Sequence, residues 1–521
     1  MKKKNLIYMA LSIFLASMSL ASCDDYLDVN KNPNFPTSAT LETLLPSVGA
    51  TTVAQWGLNG QLVGDLWNQY TTQGNSTNQY NTTVNYSITQ DSYNAFWTNA
   101  YANTLPDLKI MLSMAESKGA WNYWLIGKVL TAYNYHILTD FYGDIPFTEA
   151  INAAEFPAPK YDDSKTVVYP GIIALLDEAI AKASDAKANT NPVISNGDYF
   201  FKGNIDKWVA FAKTLKLKLY LRDFEANKTQ ISTLLSAGGL LTENCAFTAF
   251  EDATNKGNPL YEYNIRQLNT KENIRACHTL LEYLLAYGDP RIGSIYEVTA
   301  AAQILINNGQ TLTDREMYGG LPCGTKPPTT EGEADAVPLV NSSRYKQAYT
   351  DPVYLMNAAE TYFLVAEAQA RLNKPTEAKA AYDEGVRKAF SRFDKDATDF
   401  IKAGGVYAFD NSSVNTMLKS ILTQKWLAGA KANSWDSWMD RNRTGIPAIS
   451  NAEKVRKSNI TPGLEDDYVL GTLVRPGTTV LQPREIPRRF PVPNASALYN
   501  KNAPATKTTQ EPLWWQVAQG N

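Results

Sequence analysis

The chain has 521 residues, enough for one large or several ordinary domains with a substantial core, and 49 Lys and Arg stand against 52 Asp and Glu for a net charge of -3. That balance gives no electrostatic footprint for nucleic acid. Aromatic residues make up 11% of the sequence, with 29 Tyr and 11 Trp, a supply that suits cores and binding surfaces alike.

The N-terminal run predicts an exported chain. Lys2 to Lys4 precede an uncharged stretch from Leu6 to Leu20, and Ala21 and Ser22 lead into Cys23, the three-part layout of a secretory signal. The stretch is about 15 residues, short of the roughly 20 that cross a hydrocarbon core. Residues 1–22 are therefore read as a leader. "LASC" (20–23) is similar to a bacterial lipobox, which implies lipidation of Cys23 and membrane attachment through the lipid. Residues 23–38, rich in Asn, Asp and Pro, read as a tether, and 39–521 as one working domain.

Helical patterns follow in pairs. "YNAFWTNAYANTLPDLKIMLSMAES" (93–117) and "WNYWLIGKVLTAYNYHILTDFYG" (121–143) form the first pair. "TVVYPGIIALLDEAIAKASD" (166–185) and "DKWVAFAKTLKLKLYLRDFE" (206–225) form the second, in which Trp208, Phe211, Leu215 and Leu219 share one face. The clearest pair is "PVYLMNAAETYFLVAEAQARLN" (352–373) and "KPTEAKAAYDEGVRKAFSRF" (374–393). Pro375 suits a first helical turn, and Ala366, Ala370, Ala378, Ala381 and Ala389 allow close helix approach. "SVNTMLKSILTQKWLAGA" with "SWDSWMDRNR" makes a last pair. Such units resemble tetratricopeptide hairpins, which bury their faces by stacking. The expected fold is mainly α, a scaffold of these hairpins interrupted by long loop-rich excursions at about 64–90 and 240–350, with little β structure.

Catalytic patterns are weak. His136 and His278 lie in apolar segments and outside any metal-binding spacing, so both read as packed structural residues. "GGLPCGTK" (319–326) has Thr-Lys where a phosphate loop has Lys-Ser/Thr, and "DKDATD" (394–399) lacks the Gly and distal Glu of an EF-hand loop. No cofactor or metal is expected, and no pair of carboxylates stands out. Cys245, Cys277 and Cys323 allow either one disulfide with a free thiol or three buried thiols.

Several segments in order resemble the SusD/RagB family of nutrient-binding outer-membrane lipoproteins: "CDDYLDVNKNPN" at the mature start, "LLEYLLAYGDPRIGSIY" (280–296) with Asp289, Pro290 and Arg291, "MNAAETYFLVAEAQARLN" with Glu360 and Glu367, "KWLAGAKANSWDSWMDRNRTGIP", and "RRFPVPNASALYNKN". The penultimate segment departs from the family's more usual E-G-x-R-x-W wording. The resemblance implies a non-enzymatic cell-surface protein that captures glycans for a SusC-like TonB-dependent transporter, with Asp24 and Asp25 as an export address behind the lipid. It also implies that the two excursions flank the ligand face. Their ring-and-amide mixture makes Trp67, Tyr70, Asn75, Asn78, Tyr80, Tyr261, Tyr263, Arg266 and Tyr318 the candidate ligand contacts. The alternatives are a peptide- or protein-binding helical scaffold and, third, a surface glycosidase.

Overall fold

Helices dominate the computed structural model, which describes residues 39–189, 194–324, 339–457, 463–476, 479, 481 and 485–517. The leader, Cys23, Asp24 and Asp25 lie outside the described residues. The main helices are α1 (Leu41–Gln55), α2 (Gln61–Trp67), α3 (Leu105–Ser117), α4 (Trp121–Tyr142), α5 (Tyr169–Ala181), α6 (Ile205–Tyr220), α7 (Phe224–Ala237), α8 (His278–Ala286), α9 (Ala300–Asn307), α10 (Ala358–Arg371), α11 (Pro375–Ser391), α12 (Val414–Gly429) and α13 (Ser434–Thr444). Among the described residues the strands are short: β1 (Thr71–Gln73) pairs antiparallel with β3 (Ile274–Ala276), and β2 (Cys245–Phe247) with β4 (Val353–Met356). No helix of the described residues is long and apolar enough to cross a membrane.

The predicted pairs are present with shifted edges. α3 and α4 pack as a hairpin, as do α10 and α11. The five alanines of the latter pair are buried, and Gly385 lies so near the Phe363 ring that a Cβ there would come within 2.8 Å of it. The helix expected over 352–373 begins instead at Ala358. Val353–Met356, a run of β-branched, aromatic and long apolar residues after Pro352, is held extended by its ladder with β2. Asn357 then caps α10 by accepting from the Glu360 N–H at 2.9 Å. The segment ending at Glu225 breaks at Leu221–Asp223 and restarts as α7, capped by Asp223. α1 carries buried residues on most sides, among them Leu41, Leu44, Leu45, Val48 and Val53, and so offers no clean periodic stripe to a sequence reading.

At the centre of the helices lies a network of buried charges. Arg443 of α13 forks the Glu367 carboxylate of α10 at 2.6 and 2.7 Å and reaches Asp440 at 2.9 Å. Arg222, just after α6, pairs with Asp140 of α4 at 2.6 Å and with Asp440 at 3.3 Å. Lys218 of α6 pairs with Glu360 and, at 3.1 Å, with Asp436; Lys425 of α12 pairs with Asp440. His136 Nε2 lies 3.1 Å from Asp140. All of these side chains are at least nine-tenths buried.

The buried cations Lys218, Arg222, Lys425 and Arg443, with the half-buried Arg371 2.8 Å from Glu367, face the five carboxylates Asp140, Glu360, Glu367, Asp436 and Asp440. Burial, aided by the neighbouring Asp436 charge, pushes the Glu360 carboxyl up to about 8 against the pull of Lys218 and Lys425. Burial alone would also raise Glu367, but Arg443 and Arg371 hold it down to about 2, and Lys425 and Arg443 do the same for Asp440.

These ion pairs are costly to break singly, because the remaining partner stays buried and unpaired. Arg443→Ala is expected to lose about 3–5 kcal/mol of stability by chemical denaturation. Glu360→Gln is expected to be tolerated and to change the pH dependence. Between about 4.5 and 8 the folded chain keeps a proton that the unfolded chain has released, so rising pH costs the native protein stability. The variant's melting temperature relative to the native chain should therefore climb across that window. A constant difference from pH 5 to pH 8 contradicts the assignment.

Candidate functional site

The two excursions are joined by the β1–β3 pairing of strands far apart in sequence, in which Thr71 faces Ala276, Thr72 faces Arg275 and Gln73 faces Ile274. The chain then turns at Gly74, whose N–H donates to the Asn273 carbonyl at 2.8 Å. A side chain at Gly74 would place its Cβ 2.0 Å from the Glu272 carbonyl oxygen, so this approach requires glycine.

Amides and tyrosines extend the seam. The Gln73 side-chain oxygen accepts from the Tyr80 N–H at 2.6 Å and closes the 74–79 loop. The Tyr80 hydroxyl donates to Asn264 Oδ1 at 3.0 Å, Gln79 Nε2 to the Tyr263 hydroxyl at 3.2 Å, and Asn264 Nδ2 to Gln347 Oε1 at 3.2 Å. Beside this seam Tyr261, Tyr263 and Tyr349 are half-buried, and Asn78 and Gln79 are exposed. Tyr261 and Tyr349 meet edge to face at 6.2 Å between ring centres. The Arg266 guanidinium lies 5.6 Å over the Tyr261 ring and pairs with Glu262 at 3.1 Å and with Asp252.

Not every predicted contact reaches this surface. Trp67 is wholly buried: its indole N–H donates to the Thr83 carbonyl at 2.9 Å, and Trp438 and Phe490 pack on it at 4.5 and 5.4 Å between ring centres. Tyr70 is wholly buried, its hydroxyl bonded to the Trp426 carbonyl, and Tyr80 is 4% exposed. The expectation that these three rings present a face to a ligand is corrected: they are the packed underside of the first excursion. Asn75 is also buried, at 5% exposure. Tyr318 is half-buried, packs over Gly293 and sits apart from the tyrosine patch in the turn after the Thr313 capping box. The structure lays Arg266 over Tyr261 and brings Tyr263 to Gln79, the residue after Asn78. It adds Gln79 and Tyr349, which sequence reasoning missed although both lie inside the two excursions.

A cleft of about 640 Å³ is lined by Arg275 of β3, by Glu272 just before it, and by Glu297, Gln303, Arg344 and Lys346. Arg344 forks Glu272 at 2.7 and 3.1 Å, and Arg275 donates to the Ser342 carbonyl at 2.8 Å. A second groove of about 450 Å³ lies between Trp97, Tyr101, Phe156, Pro157 and Tyr499.

The titratable groups suited to general acid chemistry lie elsewhere. Burial pushes the Asp65 carboxyl up to about 7 and Glu360 to about 8, and both are enclosed among the helices. His278 is buried and held down to about 3 by burial and the Arg456 charge, hence neutral. Asp396, in the acidic turn, accepts from the Thr398 N–H and hydroxyl. Among the described residues no group of three His, Cys, Asp or Glu is arranged to hold a metal ion.

Over residues 33–463 the chain matches the SusD-like family, described as starch-binding and associating with the outer membrane. Solved structures share its fold. A SusD homologue from Bacteroides uniformis is 21% identical, with 92% of this chain and 99% of that one covered and a TM-score of 0.68. A Bacteroidetes SusD-like protein is 19% identical over 92% of this chain and 100% of its own, with a TM-score of 0.70. A chitin-binding SusD homologue from Flavobacterium johnsoniae is 21% identical over 92% and 98%, with a TM-score of 0.67. No curated protein sequence matches the chain.

Burial separates the roles of the aromatic residues. Trp67→Ala is expected to lose about 3–5 kcal/mol of stability through the cavity it leaves, whereas Tyr261→Ala should stay within about 1 kcal/mol of the native chain. Thermal melts of the two variants check this, and equal losses would contradict the division.

Proposed function

This chain belongs to the SusD-like family, and from that premise we propose that it is a cell-surface lipoprotein that captures oligo- or polysaccharide and delivers it to a SusC-like TonB-dependent transporter. The observation that carries the reading is a pair of partly exposed tyrosine contacts beside the β1–β3 pairing: Gln79, next to Asn78, meets Tyr263, and Arg266 and Tyr349 meet Tyr261. Flat tyrosine rings suit the C–H faces of sugars, while amides and a guanidinium supply directional hydrogen bonds to hydroxyl groups. Because Arg266 is already held by Glu262 and Asp252, little ordering cost remains at binding. The chitin-binding relative supports the ligand class.

A binder is favoured over a glycosidase by the state of the carboxylates at the face. Glu262, Asp252 and Glu272 are each paired with arginine, and the raised carboxyls are enclosed in the core. Attachment to the outer membrane through a lipidated Cys23, with Asp24 and Asp25 directing exposure to the exterior, rests on the N-terminal sequence. Several acyl chains would anchor the protein firmly.

Affinity electrophoresis against plant, fungal and host polysaccharides, with a reducing-end assay on the same mixtures, tests the reading. The native chain should be retarded by at least one polysaccharide without new reducing ends. Replacing Tyr261 and Tyr263 together by Ala should weaken that retardation at least about tenfold, or ~1.4 kcal/mol. Retardation unchanged in the double variant excludes this face, and new reducing ends would make the protein a glycosidase. For the anchor, Asp24→Ala/Asp25→Ala should abolish protease shaving of the protein on whole cells. Undiminished shaving contradicts the address.

A further inference from the structure

Two of the three thiols among the described residues are neighbours. Cys277 follows β3 directly and is the residue that caps the start of α8. The segment ending at Gly324 runs beside it: the Leu321 N–H donates to the Ala276 carbonyl at 2.9 Å, and the His278 N–H donates to the Leu321 carbonyl at 2.9 Å. Cys277 and Leu321 thus form a parallel bridge, and Cys323 follows two residues on, its thiol near enough to that of Cys277 for each to shift the other's titration. Both are buried, at 0% and 3% exposure. Cys245 is elsewhere, in β2 opposite Met356. All three are free thiols in this structure.

We propose that Cys277 and Cys323 are a disulfide-forming pair that closes the second excursion at its base, with Cys245 left as a free thiol. The distance in sequence is large, but the bridge at Leu321 already holds the two backbones together, which is the requirement that sequence spacing cannot reveal. The attacking sulfur is Cys277. Burial raises its thiol, but the neighbouring Cys323 and the Thr279 backbone N–H at the start of α8 outweigh it and lower the thiol overall.

The oxidant is a small disulfide of the glutathione class. The Cys277 thiolate attacks one of its sulfurs, breaking that S–S bond and releasing one thiolate, and a mixed disulfide forms. Cys323 then gives up its proton and attacks the Cys277 sulfur, releasing the second thiolate. Two protein thiols are oxidised by two electrons, and one small disulfide is reduced to two thiols. The exchange takes place in the last steps of folding, once Leu321 has met Ala276 and while the thiols are still open to a small disulfide. The oxidising setting rests on the export proposed above, whereas the thiol geometry does not.

The loop so closed contains the buried Asp289–Arg291 pair, Tyr318, and Glu297 and Gln303 of the cleft. The crosslink would pin that whole segment to β3, and through β3 to the tyrosine face.

The full chain, unfolded and refolded with oxidised glutathione and then alkylated under denaturing conditions with and without reductant, decides the matter by peptide mapping. The expected result is one linked peptide pair carrying Cys277 and Cys323, alkylation of Cys245 without reductant, and a melting temperature roughly 5 °C above that of the reduced protein. Cys245→Ser should form the same linked pair, which guards against reshuffling. Alkylation of Cys277 and Cys323 without reductant, or a link involving Cys245, overturns the proposal. Trapping the thiols at lysis in the native host separates the two inferences: a pair that links in the refolding arm but is reduced in the cell supports the thiol geometry and contradicts the exported setting.

Discussion

The arrangement of this molecule depends on the charge network buried between α4, α6, α10, α12 and α13. Arg443 bridges Glu367 and Asp440, and Arg222 bridges Asp140 and Asp440, so each helix is held to its neighbours by directional bonds as well as by packing. A hydrophobic interface tolerates sliding by a turn; a forked guanidinium does not. Once α13 is fixed, α2 follows, because Gly64 lies so close to the Ser434 backbone that a Cβ would sit 2.3 Å from it, and Asn68 donates to the Ser434 carbonyl at 2.7 Å.

α2 runs straight into the first excursion, so the position of the core reaches the surface within a few residues. The Tyr70 hydroxyl is bonded to the Trp426 carbonyl of α12, and the Trp426 indole donates back to the Asn68 carbonyl at 3.2 Å. Thr71–Gln73 then leave as β1 and set the register of β3, beside which the tyrosine face is assembled. The proposed face, made from two loops, is thereby tied to the helices beneath it, and a shallow site so held binds without a large ordering cost.

Much of the scaffold was legible in the sequence. Apolar spacing exposed the α3–α4 and α10–α11 pairs, and the alanines marked their close approach. The charge network also left a trace that the reading passed over: His136 and Asp140, Lys218 and Arg222, and Asp436, Asp440 and Arg443 stand at i, i+4 or i+7 on otherwise apolar helix faces, a spacing that points one way. The candidate site was expected in two regions, and the sequence does not say which of their rings lie outward. Which ring faces outward depends on contacts made across hundreds of residues, and Trp67 is covered by Trp438 and Phe490, which no local pattern announces. Val353–Met356 was misread as helix because its partner, β2, lies more than a hundred residues upstream.

The account stands or falls on where a bound glycan sits. Amide hydrogen exchange of the full chain, with and without a polysaccharide that retards it, measures this directly. The account requires slowed exchange concentrated at 75–80, 261–267 and 347–349, with the amides of α10–α12 unchanged. Protection confined to the faces of those helices, or to the groove between Trp97 and Tyr499, would contradict it.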